Sequence, residues 1–230
     1  LGSWGYVVVA RGEMDMNSSL RRLVDVLSPP GNPQENVDWQ AVERRWKVSF
    51  PRDFREFMDA YGRGTIDNVL TIATPVDGEL TPGVLRCRDL TPIANTESRI
   101  DGNEFWYPAW PQMGSLVGWG TTGTGVDLFW CMRGEDPDLW PLVVRNHRGG
   151  AAKELFMGMV EFITLTLGDR HHRPFDIPDI LGAPHSRFIH AEDERRLMSE
   201  GADPWEYLVN STSSEAGEVN LDRASLGAGS

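Results

Sequence analysis

The sequence predicts an α+β fold in which N-terminal helices and a closing C-terminal helix pack against a mostly antiparallel sheet. Two observations support this prediction. Apolar residues recur at helical spacing up to about residue 61, and beyond it they fall in short runs separated by glycine-rich links. Such links are too short for crossover helices, so consecutive strands are expected to pair antiparallel. With 230 residues the chain can bury a large core without disulfides or metals.

Three helices are predicted before the sheet begins. The first follows the cap residues Ser18 and Ser19 and ends before the turn at 28–31. Asp38 is the predicted N-cap of the second helix, and Pro51 suits the first turn of the third. A glycine-rich turn at 62–64 ends the third helix.

Strands and a further helix are predicted after residue 64. Strands are expected over 69–73, 116–119, 126–132 and 139–144, and a strongly apolar helix over 153–167 closes the fold. Residues 75–113 are rich in Pro, Gly and Asp and are predicted to be irregular, with a short helix near 90–95. One core is expected to contain Trp39, Trp46, Phe54, Phe57, Trp119, Trp130, Phe156 and Phe162.

The composition divides the chain into four parts. Residues 1–15 are an N-terminal extension, and residues 16–170 form the main domain. Residues 171–209 are an acidic C-terminal extension with a short helix over 191–200. Residues 210–230, dominated by Ser, Gly, Ala and Glu, are predicted to be a disordered tail because they offer little apolar surface to bury.

The charge of the chain indicates the kind of partner it can bind. It has 22 basic and 34 acidic residues, a net charge of −12. Such a surface repels phosphate backbones and attracts basic proteins, so direct nucleic-acid binding is disfavoured. Cys87 and Cys131 are too few for a disulfide scaffold, and the longest apolar run is far too short to span a bilayer. We therefore expect a cytoplasmic protein with no membrane contact.

No motif in the sequence predicts catalysis, a metal or a cofactor. Gly118, Gly120 and Gly123 match a dinucleotide-binding glycine pattern, but a strand-like run follows where that site needs a helix. The five histidines lack zinc-ligand spacing. Glu135, Asp136 and Asp138 could resemble a catalytic carboxylate set, but an acidic turn or partner binding is the preferred interpretation.

Acidic loops and exposed aromatic residues are the candidates for partner binding. Trp106 and Trp110 lie in an aromatic, proline-bearing segment, for which a lid over the core and a partner contact are both open interpretations. The candidate partner-binding residues are Asp77, Glu79, Asp101, Glu104, Trp106, Trp110, Glu135, Asp136 and Asp138.

The order of local motifs over roughly residues 36–168 resembles the SUKH superfamily, whose founding members include a fungal cell-wall-synthesis regulator. The likeness begins with the helix at Trp39–Glu43 and the aromatic helix after Phe50-Pro51, followed by the Gly62–Gly64 turn and the apolar strand at Val69–Ile72. It continues with Gly118-Trp119-Gly120, Phe129-Trp130, the 137–141 segment and Glu161-Phe162.

The resemblance implies a single α+β domain without catalytic residues. It further implies a bacterial immunity protein, which binds and occludes a cognate toxin, often a nuclease. A basic toxin would suit the acidic composition of this chain. The alternatives are a non-catalytic interaction or regulatory module of the same fold and an enzyme of unrecognised type. The oligomeric state is left open.

Overall fold

Helices and a large sheet pack together in the computed structural model, which describes residues 16–31, 36–75, 80, 82–83, 88–100, 102–168, 181–182 and 185–208. The helices are α1 (Met16–Val26), α2 (Trp39–Trp46), α3 (Arg52–Tyr61), α4 (Met159–Gly168) and α5 (Ala191–Ser199). The strands are β1 (Gly64–Ile66), β2 (Leu70–Ile72), β3 (Thr91–Pro92), β4 (Thr96–Ile100), β5 (Asn103–Tyr107), β6 (Leu116–Thr122), β7 (Val126–Cys131), β8 (Leu142–Asn146), β9 (Ala152–Leu155) and β10 (Phe188–His190).

The main sheet has eight strands in the order β10-β1-β2-β6-β7-β8-β9, with β3 also paired to β6. All of these pairs are antiparallel. Strands β4 and β5 form a separate two-stranded hairpin. The α+β class and the antiparallel sheet predicted from the sequence are confirmed.

One face of the sheet packs against the helices and forms the larger core. Because side chains alternate along a strand, Trp119 of β6 and Trp130 of β7 both point to this face. Phe54 of α3 meets Trp130 edge-on at a centroid distance of 4.9 Å, and Phe162 of α4 meets Trp119 at 6.1 Å. The core residues predicted from helices α2 and α3 lie here, with Trp39 half-buried at the margin.

The opposite face of the sheet carries a second, smaller core under the hairpin. Phe129 of β7 and Val143 of β8 point to this side, and Tyr107 of the hairpin packs onto them. Cys131 is buried in the same cluster, and burial raises the pKa of its thiol to about 11, so it is an unreactive thiol at neutral pH. The hairpin thus covers part of the face that the helices leave open.

The closing helix begins later than predicted, and its predicted first turn is strand β9. Helix α4 starts at Met159 rather than at residue 153, so Phe156 lies in the preceding loop with 67% of its surface exposed. The physical reason is the buried carboxylate of Asp53, whose Oδ2 accepts the backbone N–H of Val160 at 3.1 Å. A Cβ on Gly158 would lie 2.4 Å from that oxygen, so only glycine fits at this position. The prediction that Phe156 is a core residue was wrong.

Three further predictions of local structure were wrong. Within 75–113, residues 96–100 and 103–107 are the paired strands of the β4–β5 hairpin instead of irregular chain. The short helix expected near 90–95 is the short strand β3, because its backbone pairs with Val117 and Gly118 of β6. The strand expected from residue 139 begins at Leu142, after a 3-10 turn over Pro137–Leu139 that Asp136 caps.

The C-terminal extension adds a strand to the main sheet. Strand β10 pairs with β1, and α5 follows it directly, close to the helix predicted over 191–200. Asp67, fully buried after β1, accepts hydrogen bonds from the backbone of Gly182 and Arg187 at 2.8 Å and from Tyr207 Oη at 3.0 Å. Residues 181–182 and 185–208 are therefore joined to the main domain. The predicted extension at 1–15 and tail at 210–230 lie outside the described residues.

Candidate partner-binding surface

The β4–β5 hairpin has one buried side and one exposed side. In the register of the hairpin, Thr96 lies opposite Tyr107 and both are buried, whereas Glu97 lies opposite Trp106 and both are exposed. Strand β4 alternates between buried and exposed residues, as a strand with one face against a core does, whereas in β5 only Tyr107 is buried. The register, and not the order of residues along the chain, decides which side chains meet.

The exposed side, which we call the hairpin face, consists of Glu97, Arg99, Glu104 and Trp106. Trp106 has 56% of its surface exposed, with Glu97 directly across from it and Glu104 two residues before it on the same face. Arg99 lies directly across from Glu104. A large apolar ring is thus presented to solvent between two carboxylates.

Polar contacts hold the hairpin firmly onto the sheet. The Arg145 side chain donates to Thr96 Oγ1, and the Arg99 backbone N–H donates to the Gly150 carbonyl at 2.9 Å. Tyr107 Oη donates to Glu154 Oε1 at 3.4 Å, and the Arg133 guanidinium binds both oxygens of Glu154, at 2.9 and 3.1 Å. Burial raises the pKa of the Tyr107 hydroxyl, which therefore stays protonated and can donate. The aromatic ring of the hairpin face consequently stands on a fixed support.

A second set of candidates lies in the β7–β8 connection. Glu135 and Asp136 are exposed, and Asp136 also accepts the backbone N–H of Asp138 at 3.0 Å. Asp138 is engaged elsewhere, because its Oδ1 accepts the Arg52 backbone N–H at the start of α3 at 2.6 Å. The structure thus gives the Asp136 side chain the turn-forming role that the sequence favoured, joins the Asp138 carboxylate to the start of α3, and leaves Glu135 open to solvent.

Exposed apolar side chains accompany these acids. Met113 precedes β6, Leu139 precedes β8 and Phe156 follows β9, and the strand order places all three at one end of the sheet. We call Met113, Glu135, Asp136, Leu139 and Phe156 the loop end. The Arg133–Glu154–Tyr107 contacts connect it to the hairpin.

The remaining candidates are not on either surface. Trp110 meets Trp46 edge-on at 5.9 Å and packs against the main core, so it is a lid over the core and not an exposed anchor. Asp77, Glu79 and Asp101 lie outside the described residues. Of the predicted set, the structure therefore brings together Glu104 and Trp106 in one place and Glu135 and Asp136 in another.

Sequence reasoning missed Glu97 and Arg99, the other half of the hairpin face. One signal was present in the sequence, because the dipeptide Asp101-Gly102 is of the kind favoured in two-residue hairpin loops. Gly102 has a φ of +86°, a conformation that such a turn requires. Reading residues 96–107 as a hairpin would have placed Glu97 opposite Trp106.

A polar cluster surrounds the buried carboxylate of Asp127 on the hairpin side of the sheet. Asp127 Oδ2 lies 2.6 Å from His147 Nε2, and Asp127 Oδ1 accepts a hydrogen bond from Thr121 Oγ1 at 3.2 Å. Arg145 approaches the same carboxylate at 3.9 Å. Burial raises the pKa of Asp127 despite these two neighbours. The hydroxyl contacts the carboxylate and not the imidazole, so this is not the arrangement of a nucleophile with its general base.

The described residues show few other chemical features. No three of their His, Cys, Asp and Glu side chains are grouped to hold a metal ion. A cavity of about 220 Å³ is lined by Ser49, Phe50, Arg52, Arg55, Pro137 and Asp138. It is smaller than most ligand pockets. Both of its arginines already form ion pairs, Arg52 with Asp138 and Arg55 with Glu43.

The comparisons with known proteins give no relative. No family model, curated protein or solved structure matches the chain. The resemblance to the SUKH superfamily stays a prediction. Among the described residues, no helix combines the length and apolar character needed to cross a membrane.

Proposed function

We propose that this protein is an immunity protein that binds a basic, nuclease-type protein toxin and occludes it. The observation that supports this most strongly is the hairpin face. Trp106 is an exposed tryptophan with a carboxylate on two sides, on a hairpin tied to the sheet by side-chain and backbone hydrogen bonds. Tryptophan is enriched among the residues that dominate binding energy, and an anchor on a held backbone avoids the cost of ordering that backbone on binding.

Charge supports a basic partner. The chain carries −12 overall, and the exposed acids of the hairpin face and the loop end lie next to exposed apolar groups. Charges at the rim of an interface accelerate encounter and select the partner, while the apolar centre slows dissociation. Trp106 would slow dissociation. Encounter and partner selection would depend on the exposed carboxylates, which are Glu97, Glu104, Glu135 and Asp136.

A scaffold module of the same fold is the main alternative, because it would use the same surface. The two functions differ in what binding achieves. An immunity protein abolishes the activity of its toxin and protects the cell, whereas a scaffold leaves its partner active. The gene of an immunity protein is also expected beside a toxin gene.

The experiment is to co-express the chain with the basic toxin encoded by the adjacent gene and to measure cell survival and the affinity of the purified pair. We expect Trp106→Ala to weaken binding about 30-fold, through faster dissociation, because truncating a central aromatic anchor costs about 2 kcal/mol. The melting temperature should change little, since the ring is more than half exposed.

Met198→Ala is the matched control. Met198 is similarly exposed, at 64%, but lies on α5. This variant should bind like the unmodified protein. Equal affinity of Trp106→Ala and Met198→Ala would show that the hairpin face is not the binding surface. Unhindered toxin activity in the presence of the bound protein would favour the scaffold function.

A further inference from the structure

The hairpin presents a free strand edge beside Trp106. In the part of the chain that the structure describes, β5 pairs with β4 alone, and its residues Asn103–Trp106 are all exposed. An edge strand of this kind offers unpaired N–H and C=O groups to another chain. Natural edges are often protected by lysine, proline or a bulge, and β5 contains none of these.

The direction of the backbone groups follows from one hydrogen bond. The Arg99 N–H points away from β5, because it donates to the Gly150 carbonyl at 2.9 Å. Arg99 and Glu104 are therefore a non-hydrogen-bonded pair of the hairpin. Hydrogen-bonded and non-hydrogen-bonded pairs alternate along an antiparallel ladder, so Glu97 and Trp106 form a second non-hydrogen-bonded pair. The N–H and C=O groups of Glu104 and Trp106 consequently point to the free edge.

We infer that the toxin binds by adding an extended basic segment to the free edge of β5. This inference rests on the proposed function and specifies how the partner is held. The main chain of the segment would bond to Glu104 and Trp106, and its side chains at alternate positions would lie over the hairpin face. A cationic side chain opposite Glu104 forms an ion pair, and a second one two residues away stacks on the Trp106 ring.

The charges of the hairpin face favour this occupant over a second copy of the same chain. Pairing two β5 strands would bring the edge carboxylate Glu104 of one copy close to that of the other, in molecules that each carry −12. Like charges directly opposite each other in a strand pair are destabilising, whereas a cationic side chain of a basic segment opposite Glu104 is attracted to its carboxylate. A basic segment is thus the occupant that the electrostatics select.

The test uses a capped synthetic peptide of about nine residues with threonine at alternate positions and two arginines on the opposite face. Its binding to the full-length protein is measured by calorimetry, and the exchange of backbone amides is followed by NMR. We expect the amides of Glu104 and Trp106 to become protected. The same peptide N-methylated at the amides of one edge should bind at least about tenfold more weakly, because it lacks the main-chain donors.

Two variants of one residue separate charge from backbone pairing. Glu104→Gln removes the carboxylate and keeps the N–H, while Glu104→Pro removes both. Proline is tolerated on an edge strand where its missing N–H faces solvent, and thermal unfolding verifies that the variant is folded. We expect Glu104→Gln to weaken peptide binding about threefold and Glu104→Pro to weaken it about tenfold further.

Several results would overturn strand addition. One is equal binding by the two Glu104 variants, and another is equal binding of the plain and N-methylated peptides. Absence of any peptide binding, or dimerisation of the protein through β5, would also reject it. None of these results would contradict toxin occlusion, because a globular toxin can dock on the side chains of the hairpin face alone.

Discussion

Among single residues, Asp53 shows how one buried carboxylate can connect two helices. It lies in the first turn of α3, and its Oδ2 accepts the Val160 N–H near the start of α4. Carboxylates are favoured at helix N-termini, where backbone N–H groups lack partners inside the helix. Burial nevertheless dominates and raises the pKa of Asp53 to about 6, with the nearby Asp138 adding to the rise.

The raised pKa makes a prediction about stability and pH. The folded protein holds the Asp53 proton more tightly than the unfolded chain, whose pKa is the ordinary 3.8. The stabilisation from this group is therefore complete below about pH 4 and is lost as the pH rises through about 6. The loss lowers the free energy of unfolding by about 3 kcal/mol in total. Asp53→Asn keeps an acceptor for Val160 and has no charge to titrate.

Urea unfolding between pH 4 and pH 7.5 checks this prediction. We expect the free energy of unfolding of Asp53→Asn, relative to the unmodified protein, to rise by about 2.5 kcal/mol between pH 4 and pH 7. Parallel curves for the two proteins would mean that Asp53 titrates normally in the fold.

At the scale of elements, strand β10 makes the C-terminal segment part of the fold. It extends the sheet beyond β1, and buried Asp67 collects three donors from residues 182–207. A chain that ends at residue 168 should lose many degrees of melting temperature or fail to fold, whereas one that ends at 209 should melt like the full chain. The second expectation follows from the low apolar content of 210–230.

The point variant Asp67→Ala tests the same contact without removing chain. It leaves three donors without their acceptor, and we expect a loss of about 3 kcal/mol in the free energy of unfolding. Asp59→Ala, at an exposed aspartate on α3, should change this free energy by less than about 0.5 kcal/mol. A chain ending at residue 168 that melts like the full protein would show that β10 contributes nothing to stability.

The elements that the sequence predicts well are those with a long local pattern. Helix α3 has its apolar stripe and its closing glycine within about ten residues, so its position could be predicted. Helix α4 could not be placed correctly, because its start depends on Asp53, more than 100 residues away in the chain. Strand β10 was missed for a similar reason, since a three-residue strand is defined by its partner β1 and not by its own residues.

The candidate site was predictable only in part for the same physical reason. Composition singled out Trp106 and Glu104, because exposed aromatic and acidic residues in a polar segment suit binding. Composition could not distinguish Trp106 from Trp110, since the packing of Trp110 on Trp46 is a contact between distant parts of the chain. Asp136 was correctly interpreted as turn-forming, because that role depends on neighbouring residues, whereas the contact of the Asp138 carboxylate with the Arg52 N–H depends on a distant part of the chain.

At the scale of the whole molecule, the charge of −12 should govern the rate of association with a basic toxin. Replacing both Glu97 and Glu104 by lysine should slow association about tenfold at low salt and flatten its dependence on ionic strength. Stopped-flow mixing at several salt concentrations measures this. Association that is insensitive to salt and to the double replacement would exclude electrostatic steering by the hairpin face.

Occlusion is the central claim, and a titration of toxin activity with the purified protein tests it most directly. If the protein occludes the toxin, activity should fall linearly with added protein and reach zero at one protein molecule per toxin molecule, with an intact complex of that stoichiometry in sedimentation analysis. Complete inactivation at a small fraction of that ratio would indicate catalytic turnover. Full toxin activity at a large excess of protein would show that the toxin is not its target.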